Sequence, residues 1–462
     1  MRRFPAPVTR SATRWRSLAG AAALALGACT PRPAIPTIPV VVIRDTVTLP
    51  ATPPPTTTPP RPAVPDTAAF PEALLAPAVR VGLVVDSQRV EVGSTGAFTV
   101  LTQDGRTVAS VPAGGTATFS GSGGTISLTT RQASGAGGPG GAGLPAPLVV
   151  RSADPHGTLL VRGAPYRGEM LVQRGPRGGL TLVNRLDMEN YLLGVVPREI
   201  GRFELDIYEA IKAQAVAART YAVAYQGRRS AQGFDVFATV EDQVYGGVAG
   251  ENAVVNRAVR ETAGEILAYE GRPISAYYHS TCAGYTAAIE EVWNNAPVPY
   301  LRAVRDVDPR TGEAYDRSSR LYQWTERWTQ EQLVSVLNRT LADSLRGRRI
   351  GEIRDMRLLE RTPSGRVRAM RIDTDAGSFT VGKDRVRWIL TPARGGTLNS
   401  SKFDVQLARS GGRVTEIVAT GGGWGHGIGM CQIGAMGRAR AGQDYRTILR
   451  AYYQGAELQD LY

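Results

Sequence analysis

The sequence predicts an α+β protein, and three observations lead there. Short apolar–polar alternations bounded by Gly and Asp fill the region from Arg80 to Leu182, the period-two signature of half-buried strands. An alanine-rich stretch from Asp206 to Tyr225 has a helical period instead. Alternation then returns between Ile353 and Val418, as in Val367 to Thr374. A chain of 462 residues has length for about two globular units after its N-terminal segments.

Taken in order, the first residues read as an export leader. Arg2, Arg3, Arg10, Arg14 and Arg16 precede an apolar run from Leu18 to Ala28, which is too short to span a bilayer. The run ends in Leu26-Gly-Ala-Cys29. Small residues before a cysteine form a lipoprotein processing box, so Cys29 is expected to carry lipid, with plain secretory cleavage as the alternative. Thr30 rather than Asp follows it, which in a two-membrane bacterium predicts delivery to the periplasmic face of the outer membrane. Residues 1–29 are therefore assigned as signal peptide and 30–79 as a disordered Pro/Thr-rich tether, with Pro53-Pro-Pro55 and Pro59-Pro60 favouring an extended chain. A strand between Ile38 and Thr48 is the alternative there, on the β propensity of Val40-Val-Val-Ile43.

Residues 80–182 are expected to form a small all-β module, with runs at Val81–Val85, Arg89–Val92, Phe98–Thr102, Thr107–Val111 and Thr116–Thr129. Gly135 to Gly143 is expected as a mobile loop, with strands resuming from Leu148. Residues 183–462 form the second domain. Its main helix is expected to start on a capping box of Asp206 and Glu209, with Ile207, Ile211, Ala215, Ala218 and Ala222 on one stripe and Lys212 and Arg219 on a shared flank. Further helices are predicted at Ala253–Ala263, Thr329–Asn338 and Gly382–Leu390, while Trp324 and Trp328 are assigned to packing.

Four segments carry chemistry. The first runs from Asp187 to Ile200, DMENYLLGVVPREI, and the second from Glu209 to Ala222, EAIKAQAVAARTYA. The third is Ala276 to Gly284, AYYHSTCAG, and the fourth is the glycine-dense Gly421 to Gly437, GGGWGHGIGMCQIGAMG. Glycine at that density allows close backbone approach, with Trp424 offering an apolar face and His426 a switchable nitrogen. A tight structural corner is the alternative. Together, in this order, the segments resemble the stage II sporulation protein D family, which also contains the amidase-enhancer proteins of bacterial cell walls. The resemblance covers Asn184 to Tyr453, with Ala283 where glycine is usual and Ile200 where methionine is common.

The resemblance implies a periplasmic or extracellular protein acting on peptidoglycan. It implies a lytic transglycosylase that cuts peptide-stripped glycan strands between N-acetylmuramic acid and N-acetylglucosamine, or a non-catalytic activator of a cell-wall amidase. Glu199 matches the glutamate to which catalysis is assigned, and an apolar setting would raise its pKa for proton donation. One such residue suffices for a transglycosylase, whereas a hydrolase of the two-carboxylate kind needs a second acid, for which Glu189, Glu204, Glu241 and Asp242 are available. Lys212, Gln214 and Arg219 are candidate sugar or carboxylate ligands, with a structural helix face as the alternative. His279, Ser280, His426 and Gln432 would complete the opposite wall. Ser280 is not read as a nucleophile, since no glycine elbow surrounds it.

With Cys29 lipidated, Cys282 and Cys431 remain as a pair in an oxidising compartment, and a disulfide between them is the first expectation. No cofactor is required on this reading. Zinc is the alternative, held by His279, Cys282, His426 and Cys431, and some members of the family bind it; unpaired buried thiols are the third state. Of the net charge of +13, five belong to the leader arginines and +8 to the rest. A basic wall protein suits a glycan bearing free lactyl carboxylates. Nucleic acid is not expected, because no nucleic-acid-binding motif accompanies the charge.

Overall fold

A computed structural model describes residues 76–462 apart from Gly123. Cys29, most of the 30–79 tether and the alternative strand at Ile38–Thr48 lie outside the described residues.

Twelve strands open the described chain: β1 (Ala78–Ser87), β2 (Arg89–Ser94), β3 (Phe98–Thr102), β4 (Thr107–Val111), β5 (Thr116–Ser122), β6 (Thr125–Arg131), β7 (Gly137–Leu144), β8 (Leu148–Ser152), β9 (Leu159–Val161), β10 (Ala164–Tyr166), β11 (Glu169–Arg174) and β12 (Leu180–Asp187). One sheet takes the order β1-β12-β11-β8-β3-β4, and the other β10-β9-β2-β5-β6-β7. Alternate residues such as Val90, Val92, Phe98, Val100, Phe119, Ile126, Leu148 and Val172 fill one core between them, as in a sandwich. The expected glycine loop is instead strand β7, paired with β6 through Leu128↔Gly141 and Thr130↔Gly138. Glycine permits this: a Cβ on Gly140 would sit 2.5 Å from the carbonyl oxygen of Leu128.

The chain then enters α1 (Met188–Ile200) and α2 (Tyr208–Ala224), followed by β13 (Val236–Phe237), α3 (Ala253–Glu261), β14 (Glu265–Tyr269), β15 (Arg272–Pro273), β16 (Tyr278–His279) and α4 (Ile289–Val292). Asp187 caps α1 by accepting the N–H of Asn190 at 3.0 Å. Helix α1 is buried on almost every side, so its sequence has no polar stripe to announce it. The capping box expected for α2 is not formed: a 3₁₀ turn at Leu205–Ile207 precedes the helix, and Ile207 supplies no side-chain cap. Asp206 pairs with Arg440 at 2.7 Å, and Glu209 takes Lys212 at 2.5 Å and the N–H of Tyr445 at 2.9 Å. Strand β13 adds to the first sheet alongside β1 in parallel, and Val79, Val81 and Leu186 share a core with α1 and α2. The sandwich thus continues into the helical region across residues 182 and 183.

The remaining elements are β17 (Trp324–Thr329), α5 (Gln330–Thr340), α6 (Ala342–Leu345), β18 (Ile353–Arg361), β19 (Val367–Thr374), β20 (Gly377–Gly382), α7 (Arg385–Ile389), β21 (Phe403–Ser410), β22 (Arg413–Gly421), β23 (Met430–Cys431), α8 (Gln432–Arg440), α9 (Tyr445–Tyr452) and β24 (Glu457–Asp460). Two three-stranded sheets, β17-β22-β21 and β18-β19-β20, enclose a core with Trp324, Trp328, Leu337, Met370, Ile372 and Ile417. Thr329 and Gln332 form a reciprocal capping box on α5. No helix among the described residues is long and apolar enough to cross a membrane.

Candidate functional site

The third and fourth sequence segments meet in a two-residue parallel ladder. Tyr278 pairs with Met430 and His279 with Cys431. Successive side chains of a strand point to opposite faces, so the ladder sends Tyr278 one way and His279 the other, and each reaches a separate cluster.

On the Tyr278 side stands Glu199, in the last turn of α1. Its Oε1 accepts the N–H of Val244 at 2.8 Å. Burial lifts the carboxyl to about 7, against the opposing pull of the Val244 N–H and of hydrogen bonds from Gln432 and Tyr278. The first residue of α8, Gln432, also donates through Nε2 to the Glu199 carbonyl at 3.1 Å and to Gln214 Oε1 at 3.3 Å. Gln214 Nε2 is buried and has no hydrogen-bond partner among the described residues. Behind Tyr278, Gln243 Nε2 donates to the phenol oxygen at 3.0 Å and to the Ala218 carbonyl at 3.2 Å, while its Oε1 accepts Tyr191 at 3.0 Å. The group is therefore a near-neutral carboxyl among neutral donors. Tyr278 and Gln243 were not singled out in the sequence; Tyr278 lay inside a quoted segment, and Gln243 beside the noted Asp242.

Two expected ligands do not join it. Arg219 is fully buried and forms a two-point ion pair with Glu189, both contacts at 2.7 Å, with Nη1 on the Glu265 carbonyl. It is a core brace. Lys212 pairs with Glu209 and lies over the rings of Tyr208 and Tyr445 at 5.3 and 4.9 Å, toward α3 and α9. The candidate second acids are likewise engaged or exposed: Glu189 by Arg219, and Asp242 by Arg229 at 2.7 Å and the Phe237 N–H at 2.8 Å, while Glu204 and Glu241 face solvent.

On the opposite side of the ladder, ligand atoms of His279, Cys282 and Cys431 lie within 4.8 Å of one another, all buried. Cys282 and Cys431 are free thiols here, not the expected bridge. Burial first, and the Cys431 contact second, push the Cys282 thiol well up, and burial raises Cys431. His279 Nδ1 donates to the Ile428 carbonyl at 3.1 Å, and its Nε2 is buried without a partner among the described residues. A fixed tautomer with an orphaned acceptor nitrogen beside two thiols fits a zinc ion. His426 stands outside this ligand set: its Nδ1 accepts the Ile428 N–H at 3.0 Å, and its ring packs 5.6 Å from His279 and 5.2 Å from Trp293. Burial lowers His426 to about 4, so it is neutral at physiological pH. Gly425 lets this loop close on the ladder, since a Cβ there would come 2.9 Å from the Cβ of His279, and its φ is +108°. Among the described residues Ser280 Oγ hydrogen-bonds only to Thr281 Oγ1 at 3.2 Å, and Thr281 in turn to Ser319 at 2.8 Å, so no base is hydrogen-bonded to Ser280 there.

A separate cleft of about 800 Å³ is lined by Tyr322, Trp324, Arg361, Lys402, Phe403 and Asp404 among others. Its cations are already engaged, Lys402 with the Ala283 carbonyl at 2.7 Å and Arg361 with Asp404. It includes none of the Glu199 group.

A family model described as stage II sporulation protein matches residues 176–269, the stretch that holds Glu199, Gln214 and Gln243. A second, described as a domain of unknown function, matches 309–429. An uncharacterized protein of Brachyspira hyodysenteriae is 34% identical over 60% of this chain and 68% of its own length. The stage II sporulation protein D of Bacillus subtilis is 32% identical over 60% of this chain and 76% of its own. The amidase enhancer of the same organism is 32% identical, and the match spans 58% of this chain but only 40% of that protein.

Proposed function

Because the chain belongs to the stage II sporulation protein D family, we propose that it acts outside the cytoplasm on peptidoglycan, cleaving peptide-stripped glycan as a lytic transglycosylase with Glu199 as its one acid and base. The observation that carries this reading is the Glu199 carboxyl, lifted to about 7 by burial and held by Val244, Gln432 and Tyr278. An acid with that pKa keeps a proton to give near neutrality and, once ionised, can take one back.

The chemistry balances without water. Glu199 donates its proton to the bridging oxygen as the bond from muramic acid C1 to that oxygen breaks, and the leaving sugar departs with a new hydroxyl. The carboxylate then removes the proton of the muramic acid 6-hydroxyl while O6 bonds to C1. A 1,6-anhydro end forms and Glu199 is again protonated. Tyr278 and Gln432 donate to the carboxylate form, which offsets its burial. Gln214, hydrogen-bonded to Gln432 and with a buried amide nitrogen that has no partner among the described residues, is the group of α2 we assign to a sugar hydroxyl.

Zinc, if bound by His279, Cys282 and Cys431, would supply a structural clamp on the face of the ladder away from Glu199. A lipid on Cys29 would tether the protein to the envelope, at the periplasmic face of the outer membrane in a two-membrane cell. The test is incubation of purified protein with peptide-stripped glycan and mass spectrometry of the products. Anhydro-muramic ends that disappear in Glu199→Gln are expected; reducing ends would mean hydrolysis. The similarity to an amidase enhancer supports a second reading, a non-catalytic activator, which predicts uncut glycan together with faster turnover by an added cell-wall amidase.

A further inference from the structure

An aromatic surface that the proton chemistry does not use runs from the end of α2 to the His426 side of the ladder, where Trp293 lies 5.2 Å from His426. Tyr221 on α2 and Tyr225 just past its end have ring centroids 4.4 Å apart, and the Tyr277 ring lies 6.1 Å from each. Trp293 stands edge-on to Tyr277 at 4.9 Å. Tyr225, Tyr277 and Trp293 are each only partly buried, so the cluster is a floor and not a core. It is tied to the catalytic loop: the Tyr221 hydroxyl donates to Asp242 at 3.5 Å, and Gln243 and Val244, next in sequence, hold the Glu199 group.

The edge of this floor carries a surplus positive charge. Asp242 already accepts two hydrogen bonds from Arg229, at 2.7 and 3.1 Å, and one from the Phe237 N–H. Arg228 lies 3.9 Å from the same carboxylate with its side chain about half exposed, and its guanidinium sits 4.8 Å above the Tyr225 ring. One carboxylate thus faces two guanidinium groups. The outer one keeps most of its donors for something in solution.

We infer that Tyr277 and Trp293 form a stacking floor for sugar rings of the glycan strand, and that Arg228, held over Tyr225 at its edge, binds a free lactyl carboxylate of a muramic acid resting on it. Aromatic faces suit the apolar faces of pyranose rings, and a planar guanidinium suits a carboxylate. In peptide-bearing glycan that carboxylate is consumed in an amide, so Arg228 becomes a determinant of the preference for stripped strands. The inference rests on glycan being the ligand of the Glu199 site.

Binding measured in a Glu199→Gln background tests it without cleavage, using full-length protein, soluble glycan stripped by amidase digestion, and peptide-bearing glycan of matched length. Arg228→Gln is expected to weaken stripped glycan by about 5- to 10-fold, as for loss of one charge-assisted contact, to leave peptide-bearing glycan within twofold, and to flatten the salt dependence. Trp293→Ala is expected to weaken both ligands by a similar factor, with Trp293→Phe largely restoring them; if Trp293→Ala melts early, Tyr277→Ala takes its place. Equal loss on both glycans in Arg228→Gln would overturn the carboxylate role. Unchanged binding in the aromatic variants, or no binding by the parent, would overturn the floor. Binding as expected with no cleavage by the Glu199 protein would sink the transglycosylase reading and leave this one standing.

Discussion

Gln432 reaches the backbone carbonyl of Glu199 at 3.1 Å across 233 residues of sequence. The same amide nitrogen touches Gln214, so the glycine-run segment, α1 and α2 are held at one point. The acid is therefore fixed by three segments distant in the chain, and its properties should respond to changes in each.

The basic limb of activity should lie near pH 7, where the raised Glu199 carboxyl loses its proton. Tyr278→Phe removes a donor to the carboxylate, so the limb should move up by about one pH unit or less. A pH profile of kcat/KM on stripped glycan checks this, and an unmoved limb would detach Tyr278 from the acid.

Stability should carry the same signature. The folded carboxyl titrates near 7 and the unfolded one near 4.5, so between these values the folded state binds more protons and stability falls as pH rises. Relative to wild type, Glu199→Gln should gain stability across that window, by up to about 3 kcal/mol, less where solvent reaches the carboxyl. Chemical denaturation at pH 4.5 and pH 8 measures it. A difference that does not change with pH would contradict the raised pKa.

Arg219→Met leaves Glu189 buried without its cation and should cost about 3–5 kcal/mol. Adding Glu189→Leu should recover most of the loss. The recovered double variant should bind stripped glycan as the parent does, because neither side chain reaches the Glu199 group. Weakened binding in a stable double variant would restore Arg219 as a ligand.

For the thiol pair, non-reducing digestion of exported protein should give unlinked Cys282 and Cys431 peptides, with about one equivalent of zinc in the folded protein and melting lowered by chelator. Linked peptides without bound metal would replace the metal site with a bridge, whose loss should cost roughly 2–5 kcal/mol.

How far the sequence reached depended on what each residue shows to its neighbours along the chain. The sandwich strands and β19 were legible because one face meets a core and the other water, which writes alternation into the sequence. Helix α1 was hidden because it is buried all round, and β7 because its glycines look like a loop until the close approach to β6 is seen. Glu199 was found through its segment. Its donors Tyr278 and Val244 act through contacts 45 or more residues away, which local pattern does not encode. Arg219 was misassigned for a chemical reason: a guanidinium suited to a substrate carboxylate is equally suited to Glu189.

The join between sandwich and helical region sets how this protein can be taken apart. β1 gives Val90's sandwich one face of its sheet and gives α1 and α2 the apolar side chains Val79 and Val81 on the other, and it receives β13 from beyond residue 230. A fragment cut at residue 183 would bare that helical core and orphan β13. The sandwich is thus part of the foundation under Glu199, and transplanting the helical half into another protein would require carrying β1 and β12 along with it.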